Sequence, residues 1–255
     1  MNFYKISNSI ILALIFTPMI LFADTEYESA VKKFKNQDYK GAIEQIRQLH
    51  DTGGNTFESH TLCAHAYSKL GDFESSSAHF FEALKKRPES TKVRADLIRL
   101  YLNHNKTKGA LELSTDAIEK FTDDPEIQFL YATTLLRRGK PKTALSRVEK
   151  LKSLAPNDAN ILNLEGKIYY SLGIYDKADV SLKWASALDQ SSPSILNNLA
   201  LVQERLFLVH KKNKNSKLAS ENLKEAKDSI KKALSLDAKD SSISKNAERI
   251  LNYSI

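Results

Sequence analysis

A single cysteine, Cys63, stands in a chain of 255 residues, so neither an internal disulfide nor a cysteine-pair zinc site can be built from it. Only 8 glycines and 6 prolines are spread over this length, which excludes long flexible or polyproline linkers. No GxSxG elbow, P-loop, GxGxxG turn or HExxH pair occurs. Basic segments interleaved with aromatics, the mark of a nucleic-acid reader, are missing too. These gaps predict a chain without enzymatic activity, metal, cofactor or nucleic-acid partner.

What is present is ordinary for a soluble protein: 42% hydrophobic and 27% charged residues, enough to bury a continuous core. The net charge of +7 is partly local, because Lys211, Lys212, Lys214 and Lys217 cluster with few acids near them. Such a cluster favours acidic partners, anionic lipid among them.

The N-terminus has the three-part layout of an export signal. Lys5 is followed by the apolar run Ile10 to Phe22, broken by Pro18, and then by the small residue Ala23. Residues 1–23 are expected to be a signal peptide, with an uncleaved membrane anchor as the alternative because Leu21 is large for its place. Either places the body of the protein outside the cytosol, in the periplasm for a bacterium with two membranes. No cysteine follows the run, so lipoprotein-type acylation is excluded.

The strongest signal is internal. Segments beginning near Phe57, Thr91, Pro125, Ala159 and Pro193 repeat at a constant offset of about 34 residues without gaps. In each, apolar residues recur at helical spacing on both sides of a break that is often glycine, as in Leu70-Gly71-Asp72 and Leu172-Gly173-Ile174. Small residues (Ala64, Ala132, Gly166 and Ala200 in first helices, Ala42, Ala110, Ala144 and Ala178 in second ones) let two helices approach closely. Tyr67, Tyr101, Phe80 and Tyr169 take core positions, and Pro88 and Pro156 end second helices. Each unit reads as an αα-hairpin that must stack on its neighbours to bury its apolar faces.

With Ala64, Tyr67, Gly71, Phe73, Phe80, Ala83 and Pro88 at its signature places, the pattern resembles the tetratricopeptide repeat (TPR). The resemblance implies an all-α, right-handed TPR solenoid of about six units: 24–56, 57–90, 91–124, 125–158, 159–192 and 193–238. The last carries an insertion near 207–220, expected to lengthen its hairpin into a projection tipped by Lys211, Lys212, Lys214 and Lys217. Residues 239–255 read as a capping helix with Ala247, Ile250 and Leu251 on one face. The resemblance further implies a concave groove lined by first helices, where the register places Thr61, His65, Arg99, Phe129, Thr133, Asn163, Lys167, Tyr170 and Asn197. The two-cation carboxylate clamp of chaperone-binding TPR proteins is disfavoured, because Tyr27 and Val31 stand in the corresponding places.

Three features remain. His60 and Cys63 share a helix face, which admits a metal or thiol site, but Cys63 coincides with a core position and reads as a buried hydrophobe. Trp184 lies off the core positions and is expected to be partly buried against the next unit. Phe207, Leu208 and Val209 beside the lysine cluster read either as a membrane-surface element or as part of a longer helix pair. The expected function is an exported scaffold that holds a protein or peptide in its groove, similar to TPR proteins of pilus assembly or secretion. Binding of an anionic membrane through the lysine cluster is the alternative.

Overall fold

The computed structural model describes residues 25–254, and the expected signal segment, residues 1–23, lies outside them. Thirteen helices and no strand occur among the described residues. No helix there is long and apolar enough to cross a membrane. The chain forms two compact units divided after Lys106. The first holds α1 (25–35), α2 (Tyr39–Asp51), α3 (Phe57–Leu70), α4 (Phe73–Lys86) and α5 (Thr91–Asn103). The second holds α6 (Thr107–Lys120), α7 (Pro125–Arg137), α8 (Pro141–Leu154), α9 (Ala159–Ser171), α10 (Tyr175–Leu188), α11 (Pro193–Lys212), α12 (Ser216–Leu236) and α13 (Ser241–Leu251).

Local chemistry fixes where helices begin. Asp38, Thr56, Asp72, Ser90, Asp124, Asp158, Ser192 and Asp240 each accept a backbone N–H of the following first turn, satisfying donors a helix leaves unpaired. It also fixes where the chain turns. Residues in the left-handed region recur at Gln37, Gly71, Asn105, Gly139 and Gly173, each 34 after the one before, and next at Lys214. At Gly71 the amide bonds Ser68 O while Asp72 N reaches Tyr67 O, which closes α3 and sends the chain back along it. The period is thus a period of turns.

In the first unit α2, α3, α4 and α5 pack consecutively, with Phe80 of α4 only 1% exposed and Ala42, Ala64 and Ala83 fully buried. In the second, consecutive helices again pack, and α7, α9, α11 and α13 also touch one another in sequence. First helices therefore share one face of this unit. Gly166 shows why a small residue is needed: a methyl group there would collide with the Leu182 side chain of α10.

The final hairpin is long. α11 has 20 residues and α12 has 21, where α9 and α10 have 13 and 14, so the extra length falls equally on both arms. Its outer part has its own core of Phe207, Ala219 and Leu223, on which Leu208 and Tyr253 pack. Phe207 is 0% exposed, which removes it from any membrane-surface element and leaves Val209 as the exposed member of that trio. α13 buries Ile243, Ala247 and Ile250 against the last hairpin and is pinned by Arg249, whose guanidinium makes two 2.7 Å bonds to the buried Glu204 carboxylate.

Candidate functional site

The face shared by first helices in the second unit carries a cavity of about 350 Å³. Its walls are Leu136 of α7, Lys167 and Tyr170 of α9, and Asn198, Leu201 and Val202 of α11, with Leu182 of α10 beneath. Gly166 lets Leu182 approach α9 closely enough to reach this position. Two hydrogen bonds tie α9 to α11 beside the opening: Asn198 Nδ2 donates to Asn163 Oδ1 at 2.8 Å, and Arg205 Nε donates to the Tyr170 hydroxyl at 3.0 Å. Lys167 is exposed as a residue, yet burial around its ammonium and then the Arg137 guanidinium push its pKa down from the ordinary lysine value. The result is an apolar recess with a cation and amides at the rim, a form suited to an apolar side chain whose neighbours are polar or acidic.

The sequence register places Lys167, Tyr170 and Asn163 here, and the structure brings them together. Phe129 instead packs its half-buried ring on the α7–α8–α9 core. Thr133 is half-buried with a hydroxyl that finds no partner. Asn197 is corrected outright: it is 9% exposed and accepts a bond from Asn246 Nδ2 of α13 at 2.9 Å, so it serves the cap. The adjacent Asn198 takes the rim position. One residue is a turn of about 100° on a helix, enough to move a side chain from rim to interior.

In the first unit, Thr61 and His65 line a separate cavity of about 380 Å³ with Tyr27, Phe57, Arg87 and Asp96. Most of its charges already face a partner. Asp96 stands 3.1 Å from Arg99 Nη1 and 3.5 Å from His65 Nε2, and Arg87 bonds Glu58 at 2.9 Å while lying over the Phe57 ring. The Thr61 hydroxyl donates to Phe57 O at 2.7 Å. Arg99 therefore has an acidic neighbour to lose before it can meet an acidic ligand.

The lysine cluster is likewise only partly available. Lys211 donates to Ser254 O at 3.1 Å and lies 5.4 Å from the Phe207 ring centroid, whereas Lys212, Lys214 and Lys217 are exposed around the turn. Trp184 is 41% exposed, hence partly buried, and Lys152 of the preceding hairpin lies 5.8 Å from its ring. That lysine also holds Glu165, a buried carboxylate bonded by Ser181 at 2.7 Å.

Cys63 lies in the core as expected, and burial pushes its thiol pKa up to about 12, which withholds the thiolate a nucleophile needs. Sequence reasoning missed what surrounds it. His79 Nε2 is 3.5 Å from Cys63 Sγ, His79 Nδ1 is 2.9 Å from His60 Nδ1, and the His50 ring lies tilted against both, 4.6 Å from His60 and 6.2 Å from His79. The turn at Gly71 held the clue: Cys63 lies eight residues before it and His79 eight after, which makes them neighbours across an antiparallel hairpin. Among the described residues no group of three His, Cys, Asp or Glu side chains is placed to hold a metal ion.

Comparison with known proteins agrees with this architecture. The family described as anaphase-promoting complex, cyclosome, subunit 3, matches residues 103–185, about a third of the chain. No curated protein matches. Among solved structures, a thermophilic TPR protein of Thermus thermophilus is 22% identical over 78% of this chain and all of its own, with a TM-score of 0.62. A tetratricopeptide repeat protein of Parabacteroides merdae is 14% identical over 90% of this chain and 84% of its own, with a TM-score of 0.71. PilF of Pseudomonas aeruginosa is 11% identical over 91% of this chain and all of its own, at 0.62. At such identities the likeness speaks for the fold alone: with turns that recur every 34 residues, this chain has the fold of tetratricopeptide-repeat proteins.

Proposed function

We propose that the protein is an exported, non-enzymatic scaffold that holds a segment of a partner protein on the first-helix face of its second unit. The observation that carries this reading is the recess between α9 and α11, apolar below and bordered by Lys167, Tyr170 and Asn198. An extended segment that inserts one apolar side chain would find amide partners for its backbone in Asn198 and a cation for a neighbouring carboxylate in Lys167. Export, through residues 1–23, would place that activity outside the cytosol, and assembly of an envelope machine such as a pilus or secretion system is the role we favour. The similarity in fold to PilF supports the choice without carrying it.

The test is photocrosslinking in the native cells from Leu201, inside the recess, with mass spectrometry of the products. One dominant partner that disappears with Tyr170→Ala or Lys167→Glu supports the scaffold. No product from Leu201 counts against it. A second reading has its own observation: Val209 and Leu218 are exposed beside Lys212, Lys214 and Lys217. That tip would suit an anionic membrane surface. Salt-sensitive binding to phosphatidylglycerol vesicles, abolished by changing these three lysines to Gln, would favour it.

A further inference from the structure

We infer that His50, His60 and His79 form a proton-sensitive latch, which holds helices α2, α3 and α4 together most tightly while the rings are uncharged. The inference is independent of the partner proposed for the second unit. It rests on a chain of hydrogen bonds whose directions follow from the Asn55 Oδ1 that faces His60. Asn55 Oδ1 can only accept, so His60 Nε2 carries the proton that faces it. A neutral His60 then has a bare Nδ1, which must accept from His79 Nδ1–H at 2.9 Å. That leaves His79 Nε2 bare, 3.5 Å from Cys63 Sγ, where it can take the thiol's proton. On the other side the Ser59 hydroxyl donates to Thr56 O at 3.0 Å, and so receives the Nε2–H of His50 at 2.8 Å.

Every bond in this chain is made when the rings are neutral, and an added proton can be held only by reversing it. Protonating His60 would force His79 to move its own proton to Nε2, trading the bond from the thiol for a weaker one to its sulfur, and protonating both rings would aim two N–H groups at each other across 2.9 Å. Charge would compound the loss, since the ring centroids lie 4.6, 5.1 and 6.2 Å apart. The groups facing the rings do not compensate. α2 supplies Arg47 and Asp51, α3 supplies Tyr67, and α4 supplies Glu82 and Lys86, while Tyr27 of α1 packs into the apolar cluster around Cys63. Burial outweighs the two carboxylates: it is the first cause lowering all three histidines, His60 to about 4. A cavity of about 300 Å³ beside His50, His79 and Tyr67 gives water a way to the rings.

The latch differs from a metal centre because His79 turns opposite ring nitrogens to its two neighbours. It differs from a catalytic Cys-His-Asn arrangement because the thiol keeps its proton. Acidification should therefore loosen α2 to α4 while the second unit, whose one histidine is His210, stays intact.

The test is hydrogen exchange on the full chain between pH 7.5 and 4.5, corrected for intrinsic exchange rates, with imidazole titrations followed by NMR. Protection of α2, α3 and α4 amides should fall at least tenfold while that of α9 to α11 holds. The His50, His60 and His79 midpoints should all lie below the ordinary value of about 6.5. His79→Gln, which keeps a donor and an acceptor without a titrating group, should flatten the response. If that variant does not fold, the imidazole midpoints of the unaltered protein decide. Midpoints at or above 6.5, equal loss of protection in both units, or zinc ions that bind the three rings and protect α2 to α4 would each overturn the latch.

Discussion

The two compact units bury opposite kinds of polar chemistry. The first contains five of the six histidines and packs three of them into a network that is complete only when uncharged. The second buries carboxylates and matches each with a cation: Glu165 with Lys152, Glu204 with Arg249. The histidine network forms all its bonds without charge, whereas the buried carboxylates depend on it. A repeat fold allows this because each hairpin needs only to fit its neighbours, so polar devices can be local. The single tryptophan, Trp184, lies in the second unit and makes its fluorescence a reporter of that unit alone.

The largest break in the comparison should come from Phe80→Ala, which empties a fully buried site in the first unit at a cost of about 3–5 kcal/mol. Exchange protection of α3 and α4 should collapse while the Trp184 transition in denaturant is unmoved. In the second unit, Arg249→Ala strands the Glu204 carboxylate, whose side chain is 4% exposed, and should cost about 3 kcal/mol. Replacing both partners with apolar residues should recover much of that loss, measured as a double-mutant cycle on the Trp184 transition. Gly166→Ala pushes a methyl against Leu182 and should cost about 1–3 kcal/mol in the same assay.

Acid sharpens the contrast without mutation. His50, His60 and His79 have pKa values lowered by folding, so between those values and the ordinary 6.5 the unfolded chain binds more protons. Their contribution is full above 6.5 and is lost as the pH falls toward about 4, roughly tenfold in the opening equilibrium for each unit of lowering. The smallest effect is a gain. Lys214 sits at a φ of 58°, a conformation that costs a residue with a Cβ, so Lys214→Gly should stabilise the last hairpin by about 0.5–1 kcal/mol in thermal unfolding.

Much of the fold was legible because it rests on short-range rules. Gly71, Gly139 and Gly173 announce turns, Asp124 and Asp158 announce helix starts, and Ala or Gly at crossing points announces close packing. The recess was legible in part, since Lys167 and Tyr170 follow from the helical register once the repeat resemblance assigns the groove to first helices. Asn197 was misplaced because choosing between it and Asn198 requires knowing that α13 covers one side of α11. The histidine network stayed hidden because His50, His60 and His79 share no period. Only the folded hairpin and the helix before it bring them together.

The lengthened last hairpin carries one more lesson. Seven residues are close to two full helical turns, so adding seven to α11 and seven to α12 returns every later side chain to nearly its former bearing, within about 20°. The stacked base of the hairpin is therefore blind to the length of its arms, and Lys214 keeps the left-handed turn that the shorter hairpins make. Growth in this fold is quantised: arms can lengthen in matched double turns, and surface is gained at the tip while the docking of α13 on the base stays in register.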